Sequence, residues 1–460
     1  MAISKHKIKS ITELRQLAIN THQKNDLEDA KKLYRAYLQN KPEDAAIWSN
    51  LGALFRKQKN YVVAAAAQSR ALELDPANPS VMNNAANAFY DAGYLEKSLG
   101  LREVIIKQEP DNPEHYASLG KSYSSVHQLD KALEILTNSV RKFPDCAELH
   151  IQLAFVQLAM GNYPAGFKSF DWRWHGDELA LPEYDFPKWN GEALAGKTIL
   201  VIPEQGFGDT VLMSRFLPQL KKHGVRIKIA VKEPLQRLFS NLQNHVEFIH
   251  DKAELDGCDF WVPMMDLPLY LHTTLETLPA PADLFIPQEA VDRARKIVAP
   301  FTNRFKIGVM WSGSVTYRAN HKRSFSHRKF LDLCDIPGIQ MFSLYKGPLQ
   351  KAFVEDGTSA IIIDASSSDR DFADSAALMQ ELDLVISMDS AIVHIAGSLG
   401  IEVWNLLHSE PYWLYQPFPN HTPWYPSMRL IRQEKTGEWD QVFAELKKEI
   451  IIRMKDANKP

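Results

Sequence analysis

Four prolines, Pro42, Pro76, Pro110 and Pro144, stand 34 positions apart. A fixed period of that length marks a tandem array, and what lies between the prolines repeats with it. The stretch from Ala45 to Asn78 carries Trp48, Leu51, Gly52, Phe55, Ala64, Ala71 and Pro76. The stretch from Pro113 carries Tyr116, Leu119, Gly120, Tyr123, Ala132 and Pro144. Looser copies begin at Pro79 (Ala85, Ala86, Phe89, Pro110) and at Ile11 (Leu14, Leu17, Ala18, Ala30, Pro42). A partial fifth begins near Ala147 and holds Leu153, Ala154 and the turn Gly161-Asn162-Tyr163, before Phe170-Asp171-Trp172-Arg173-Trp174. The spacing predicts two helices per unit. Large residues on the first pack on small residues of the second, and glycine or alanine lets the helices approach. Proline ends the second helix because it has no N–H to donate. Terminal units are expected to be atypical, since each has a neighbour on one side only.

The W-x2-L-G-x2-Y, A and P positions resemble the tetratricopeptide repeat over roughly residues 11 to 165. The expected fold here is an α-solenoid, placed over 11–175. Asn50 and Asn84 share one place on the first helix of successive units. The array resembles that of the nucleocytoplasmic protein O-GlcNAc transferases, whose asparagine ladder grips a peptide backbone. That resemblance makes Asn50 and Asn84 acceptor-binding candidates. Gln16 and Ser118 occupy the equivalent places, and asparagine is also a common choice in such repeats.

After Trp174 the period stops. Residues 176–196, with Pro182 and Pro187, read as an extended linker. From Lys197 onward strand and helix patterns alternate, which predicts parallel α/β sheets. Strands are expected at Thr198 to Pro203, Val225 to Val231, Val246 to Ile249 and Asp259 to Val262, with a helix after the first strand reaching about His223. Pro279-Ala280-Pro281 marks a hinge. Further strands are expected at Lys306 to Trp311, Ile339 to Leu344, Ala360 to Ile363, Leu384 to Ser387 and Glu402 to Leu407. A helix near Glu438 to Met454 is expected to return and brace the first half. Two Rossmann-like halves, 197–281 and 282–460, with a crossing helix make a GT-B architecture. Such sheets place ligands at the carboxyl ends of their strands.

Charge and cysteine usage narrow the function classes. With 53 basic against 56 acidic residues the net charge is −3, which lacks the basic footprint of a nucleic-acid binder. Cys146, Cys258 and Cys334 are far apart and form no CxxC pair, so a cysteine zinc site or disulfide framework is not expected and a reducing compartment fits. The basic opening, Met1 to Ser10, is not followed by an apolar stretch, so no signal peptide is expected. No run of about 18 apolar residues predicts a membrane span. Together these readings place the chain in the cytoplasm.

Two strand-to-helix turns carry candidate chemistry. Gly206-Phe207-Gly208-Asp209 follows the first strand, where glycines admit a ligand to the backbone and a helix N-terminus favours negative groups. A nicotinamide-type G-x-G-x-x-G needs a third glycine where Val211 stands, although Glu233 near the end of the next strand is placed like a ribose ligand. Asp209 also reads as a simple helix cap. The second cluster, Ile386 to Gly397, places Ser390 and free N–H groups for a diphosphate, with Asp389 and His394 towards the same cleft. Asp389 reads equally as a cap and His394 as a packing residue.

Residues 198 to 432 resemble glycosyltransferase family 9, the heptosyltransferases, through Gly208-Asp209 and through Ser387 to His394, a form of S-x-D-T-x-x-x-H with serine for threonine. The repeat-fused bacterial proteins with EQGxGDT after the first strand are similar. The resemblance implies Asp209 as the general base that deprotonates an acceptor hydroxyl for inverting attack. It implies donor binding by Gly206, Gly208, Ser312, Gly313, Ser314, Arg323, Lys346, Asp389, Ser390 and His394. Arg323, in place of the usual lysine, would neutralise leaving-group charge. Lys346 would contact the nucleotide and Asp389 the donor sugar. No metal and no cofactor are implied, the nucleotide-sugar being the donor substrate. Asp369-Arg370-Asp371 is formally DxD but reads as a solvated turn.

The expected function is an inverting, metal-independent glycosyltransferase acting on a protein acceptor held by the repeats, with a flagellin-like protein as one candidate. A non-catalytic repeat scaffold with a degenerate domain is the reading from another class. A lipopolysaccharide-directed transferase is the third, and the absence of a basic amphipathic stretch counts against membrane work.

Overall fold

The computed structural model describes residues 10–176, 179–204, 206–250, 252–317 and 319–457. The opening residues 1–9 lie outside that range, as do Gln205 of the first turn and Arg318 of the long loop. The chain parts into two compact units: Met1–Val156 with Trp172–Leu179, and Gln157–Asp171 with Ala180–Pro460.

The N-terminal part is a helical solenoid of the kind the 34-residue period predicts. Its helices run in pairs: Ile11–Gln23 with Leu27–Leu38, Ala45–Lys57 with Tyr61–Leu74, Pro79–Asp91 with Leu95–Gln108, Pro113–Ser125 with Leu129–Lys142, and Ala147–Ala159 with Tyr163–Phe170. Asp44, Asn78 and Asn112 accept hydrogen bonds from first-turn N–H groups, satisfying donors that a helix start leaves open. Pro79 and Pro113 occupy first-turn positions where no N–H is needed. The helices ending at Leu74, Gln108 and Lys142 stop two residues before Pro76, Pro110 and Pro144. Gly120 has to be glycine, because a Cβ there would lie 2.4 Å from Leu136 Cγ on the paired helix.

The last pair departs from the predicted boundary. Gln157–Asp171 clusters with the C-terminal unit, because the ring of Tyr163 packs against Trp413 and Trp424 at centroid distances of 5.9 and 5.7 Å. Tyr163 Oη also accepts the Trp424 indole N–H at 2.7 Å.

The C-terminal unit holds two sheets. The first comprises β1 (Thr198–Ile202), β2 (Arg226–Ile229), β3 (Glu247–Phe248) and β4 (Phe260–Pro263), all parallel, in the order β3-β2-β1-β4. β1 is a continuous apolar run, as a central parallel strand requires. The predicted linker is not free: Trp261 N–H donates to Pro187 O at 3.1 Å and Trp189 N–H to Trp261 O at 2.8 Å, so residues 187–189 extend the sheet beside β4. The helix after β1 ends at Ser214, and a separate short helix, Leu217–Lys221, follows in place of the single long helix expected to His223. Pro218 cannot supply the N–H that would continue it.

The second sheet comprises β5 (Phe305–Met310), β6 (Ile339–Ser343), β7 (Ile363–Asp364), β8 (Leu384–Met388), β9 (Val403–Leu407), β10 (His421–Thr422) and β11 (Tyr425–Arg432), in the order β10-β11-β9-β8-β5-β6-β7. Every pairing is parallel except β10 with β11. Counted from β5 through β11 without the short β10, the order is 3-2-1-4-5-6, that of a doubly wound nucleotide-binding sheet. The strand expected at Ala360 to Ile363 is displaced: Thr358–Ala360 is a 3-10 turn and only Ile363–Asp364 pairs with β6. β11 was not expected. Its apolar residues are broken up by Pro426, Arg429 and Arg432, and pairing with β9 makes it a strand.

The C-terminal helix, Trp439–Ala457, corrects the crossing-helix expectation. Its buried residues Trp439, Val442, Phe443, Leu446 and Ile450 belong to the core of the second sheet, with Ile307, Phe330 and Ile431. Lys447 pairs with Asp335, and Arg453 with Glu402.

The strand orders place two switch points, where neighbouring strands send their chains to opposite sides and open a crevice. One lies between β1 and β4, the other between β5 and β8.

Candidate functional site

The first switch point is built on the helix Phe207–Ser214, whose N-cap is Gly206. Asp209 Oδ2 accepts the Gly206 N–H at 3.0 Å. Capping therefore uses one carboxylate oxygen, while Oδ1 takes no hydrogen bond among the described residues. Burial pushes this carboxyl up from 3.8 to about 6. The Gly206 N–H opposes that rise, the charge of Asp389 adds to it, and Arg323 pulls against it. The carboxyl thus titrates close to neutral pH, where a general base works best.

Gly208 has a packing role. A Cβ there would lie 2.7 Å from His394 Cδ2 and 3.4 Å from Ala391 Cα. The glycine lets the helices Phe207–Ser214 and Ala391–Ser398 close on each other, and so brings the two sheets' turns together. Close packing by itself accounts for a glycine at this position.

The second switch point carries Asp389 after β8. Tyr415 Oη donates to Asp389 Oδ1 at 3.2 Å, and Arg323 Nη1 stands 3.8 Å from Oδ2. Asp389 does not cap its helix; Ser390 holds the N-cap position. Ser390 turns its hydroxyl inward, 3.1 Å from Ser387 Oγ, and makes no side-chain cap. The hydroxyl expected to meet a diphosphate is thus engaged with Ser387. His394 is 6% exposed and its Nδ1 lies 3.1 Å from Tyr425 Oη. Burial, with help from the charges of Arg215 and Arg323, holds it down to about 3, so the ring is neutral at physiological pH.

After β5, Ser312 is buried and its hydroxyl is engaged within the loop: it accepts from Asn320 Nδ2 at 3.1 Å and lies 3.2 Å from Ser324 Oγ. Gly313 admits Arg323, whose Nη2 would be 2.8 Å from a Cβ. Ser314 is exposed and pairs with Thr316 at 2.7 Å. Arg323 also stacks on Tyr317, 4.5 Å from its centroid, and its Nε donates to Asn320 at 3.3 Å. Lys346 donates to the Asp369 carbonyl. The structure thus brings Asp209, Arg323, Asp389 and His394 into one electrostatic cluster and commits Ser312, Ser390 and Lys346 to internal bonds.

Four residues of the cluster escaped sequence reading. Tyr412 and Tyr415 come from the loop after β9, and the hydroxyls of both are pushed well above 10, by burial first and by Asp209 and Asp389 respectively. The dense aromatic run Tyr412-Trp413-Leu414-Tyr415 straight after a strand was the available signal. Tyr425 opens β11. Arg215 is 3% exposed and reaches three segments, donating to Leu212 O at 3.0 Å, Pro279 O at 3.4 Å and Trp424 O at 3.0 Å. It ties the first sheet, the Pro279 hinge and the second sheet into one body.

Asp369-Arg370-Asp371 is no solvated turn. Asp369 is 3% exposed, pairs with Arg293 at 2.7 Å and accepts from Ser375. Asp371 caps Phe372–Gln380 and takes two hydrogen bonds from Arg237 Nη1, at 3.0 and 2.9 Å. In the array, Asn84 Nδ2 donates to Ser49 Oγ at 3.0 Å, so its amide is engaged, and Asn50 is half-buried one repeat before it.

A family model for the tetratricopeptide repeat matches residues 22–79. Protein FlbA of Caulobacter vibrioides is 24% identical over 451 residues, covering 90% of this chain and 74% of that protein. A BBSome complex member BBS4 homolog of Drosophila melanogaster is 24% identical over 113 residues, covering 25% of this chain and 23% of its own length. Among solved structures, MamA of Desulfovibrio magneticus RS-1 aligns at a TM-score of 0.32 with 16% identity, over 35% of this chain and 90% of that one. The family model and the paired helices make the N-terminal part a tetratricopeptide-repeat array. No helix among the described residues is long and apolar enough to cross a membrane.

Proposed function

We propose that the C-terminal unit is a GT-B-type transferase that moves a sugar from a nucleotide-sugar donor, with inversion, to a protein acceptor recruited by the repeats. The observation that carries this reading is the meeting of Asp209, from one switch point, with Asp389 and Arg323, from the other, in one half-buried cluster. Asp209 Oδ1 takes the proton of the acceptor hydroxyl as that oxygen bonds to the anomeric carbon. The bond from that carbon to the diphosphate breaks, and Arg323 neutralises the charge that leaves with the diphosphate. Asp389, held by Tyr415, accepts a hydrogen bond from a donor-sugar hydroxyl. His394, being neutral, adds no charge and spaces the two helices.

A thermal-shift screen of the full chain against nucleotide-sugars, followed by mass spectrometry for donor hydrolysis, tests this. A true donor raises the melting temperature by mass action. Asp209→Ala keeps that shift and loses turnover, while Arg323→Ala loses the shift. If no nucleotide-sugar shifts the melt and none is hydrolysed, the catalytic reading fails.

A second reading, a repeat scaffold whose α/β unit only binds partners, is favoured by the internal commitments of Ser312, Ser390 and Lys346. It predicts no donor shift at all.

A further inference from the structure

Where the first two repeats meet, the array departs from its own pattern. The helices Leu27–Leu38 and Ala45–Lys57 form a groove of about 450 Å³. Its floor is Trp48, Leu51 and Phe55, which stand at i, i+3 and i+7 and so make one stripe about 10 Å long. The Trp48 N–H is spent on Pro42 O at 2.9 Å, which leaves the ring as an apolar surface. The wall is cationic: Lys31, Lys32 and Arg35.

Nothing in the repeat requires those cations. One period on, their places are taken by Ala65, Ala66 and Ser69; two periods on, by Leu99, Gly100 and Glu103; three on, by Leu133, Glu134 and Thr137. Helix pairing proceeds with neutral or acidic residues there, so the basic wall belongs to this groove alone. Lys31 reaches back to Glu28 and Lys32 to Asp29, each at 2.7 Å. Exposed i,i+3 pairs of this kind contribute about 0.2–0.5 kcal/mol and exchange readily for a better partner. Arg35 has no ion-pair partner among the described residues.

We propose that this groove docks an acidic amphipathic helix of a partner protein, with two large apolar side chains one turn apart on the stripe and carboxylates against Lys31, Lys32 and Arg35. Charge complementarity selects the acidic partner, and the spacing of the floor selects a helix. The surface differs from that of Asn50, which lies two residues from Trp48 and so faces away from the stripe. The inference rests on the array alone and holds whether or not the C-terminal unit transfers sugar.

The test is fluorescence anisotropy of the full chain with a labelled synthetic acidic peptide carrying leucine and phenylalanine one helical turn apart. It binds, its affinity falls as salt rises, and Lys32→Glu with Arg35→Glu weakens it by about tenfold or more, near 1.4 kcal/mol. Both substitutions are at exposed positions, and a melting curve matching wild type certifies the variant. A lysine-substituted peptide and one with both apolar anchors replaced by alanine bind far more weakly. The proposal is overturned if the acidic peptide does not bind, if the lysine peptide binds as well, or if the double variant binds undiminished. It is also overturned if the patch instead carries anionic vesicle binding, or if sedimentation shows a dimer of this chain that the double variant abolishes.

Discussion

Asp209 sets two demands against each other. Its carboxyl is raised on folding from 3.8 to about 6. A carboxyl so shifted supports the native state while protonated: the contribution is full below 3.8 and is lost as pH rises through 6. The loss amounts to roughly 2 kcal/mol, allowing for the solvent that reaches a half-buried side chain. Asp209→Asn keeps an oxygen for the Gly206 N–H and carries no charge. It should therefore raise the urea midpoint of the C-terminal unit at about pH 8, show no gain near pH 3.5, and abolish turnover. A variant less stable than wild type at about pH 8 would remove the strain argument. Wild-type turnover should rise with pH through about 6, as the base loses its proton. Gly208 is the complementary case. Gly208→Ala forces the His394 ring away from a new methyl group, at a cost of about 1–3 kcal/mol. Urea unfolding checks that cost, and unchanged stability would mean the two helices have room to part.

Elements owe their positions to what they cover. The helix Trp439–Ala457 has apolar residues at helical spacing, which serve equally well to brace the first sheet or to seal the second. The open face of the second sheet, with Ile307, Val309 and Ile431, decided the matter. Phe443 sits in that core at 2% exposure beside Phe325 and Phe330. Phe443→Ala should cost about 3–5 kcal/mol and loosen the second sheet, read as lost hydrogen-exchange protection in β5, β8 and β9 with the first sheet spared. Equal loss in both sheets would mean that the helix braces both. β11 shows the same dependence from the other side: a segment with Pro426 and two arginines is a strand because β9 supplies its hydrogen-bond partners.

At the scale of the whole molecule, the boundary between the units falls inside the last repeat. Tyr163, Phe167 and Phe170 are buried, and Tyr163 and Phe167 pack on the Trp413–Trp424 aromatic group. A fragment of residues 147–457 should unfold in one cooperative step. A fragment of 172–457 leaves that aromatic group uncovered and the Trp424 indole N–H without its acceptor. It should lose several kcal/mol, since each lost aromatic core residue costs about 3–5 kcal/mol. Comparative urea melts decide this, and equal midpoints would return the boundary to residue 175.

The array was legible in the sequence because each repeat satisfies itself locally: a period of 34, a proline past each second helix, and small residues where helices touch. Strand cores such as β1, β5 and β8 were legible for a related reason, since a central parallel strand is apolar along most of its length. The candidate site was legible only in part. Asp209, Arg323, Asp389 and His394 sit at turns that a strand-to-helix pattern marks. Tyr412, Tyr415, Tyr425 and Arg215 were hidden, because they come from a loop, an edge-side strand and a helix end that meet only through the packing of two sheets. Tertiary structure alone decided that Gly208 serves packing, that Ser312, Ser390 and Lys346 are bound internally, and that Asp369 is buried against Arg293 while Asp371 caps a helix beside Arg237. Sequence spacing specifies what a residue can reach along its own element; which partner occupies that reach depends on segments far away in the chain, and only folding brings them together.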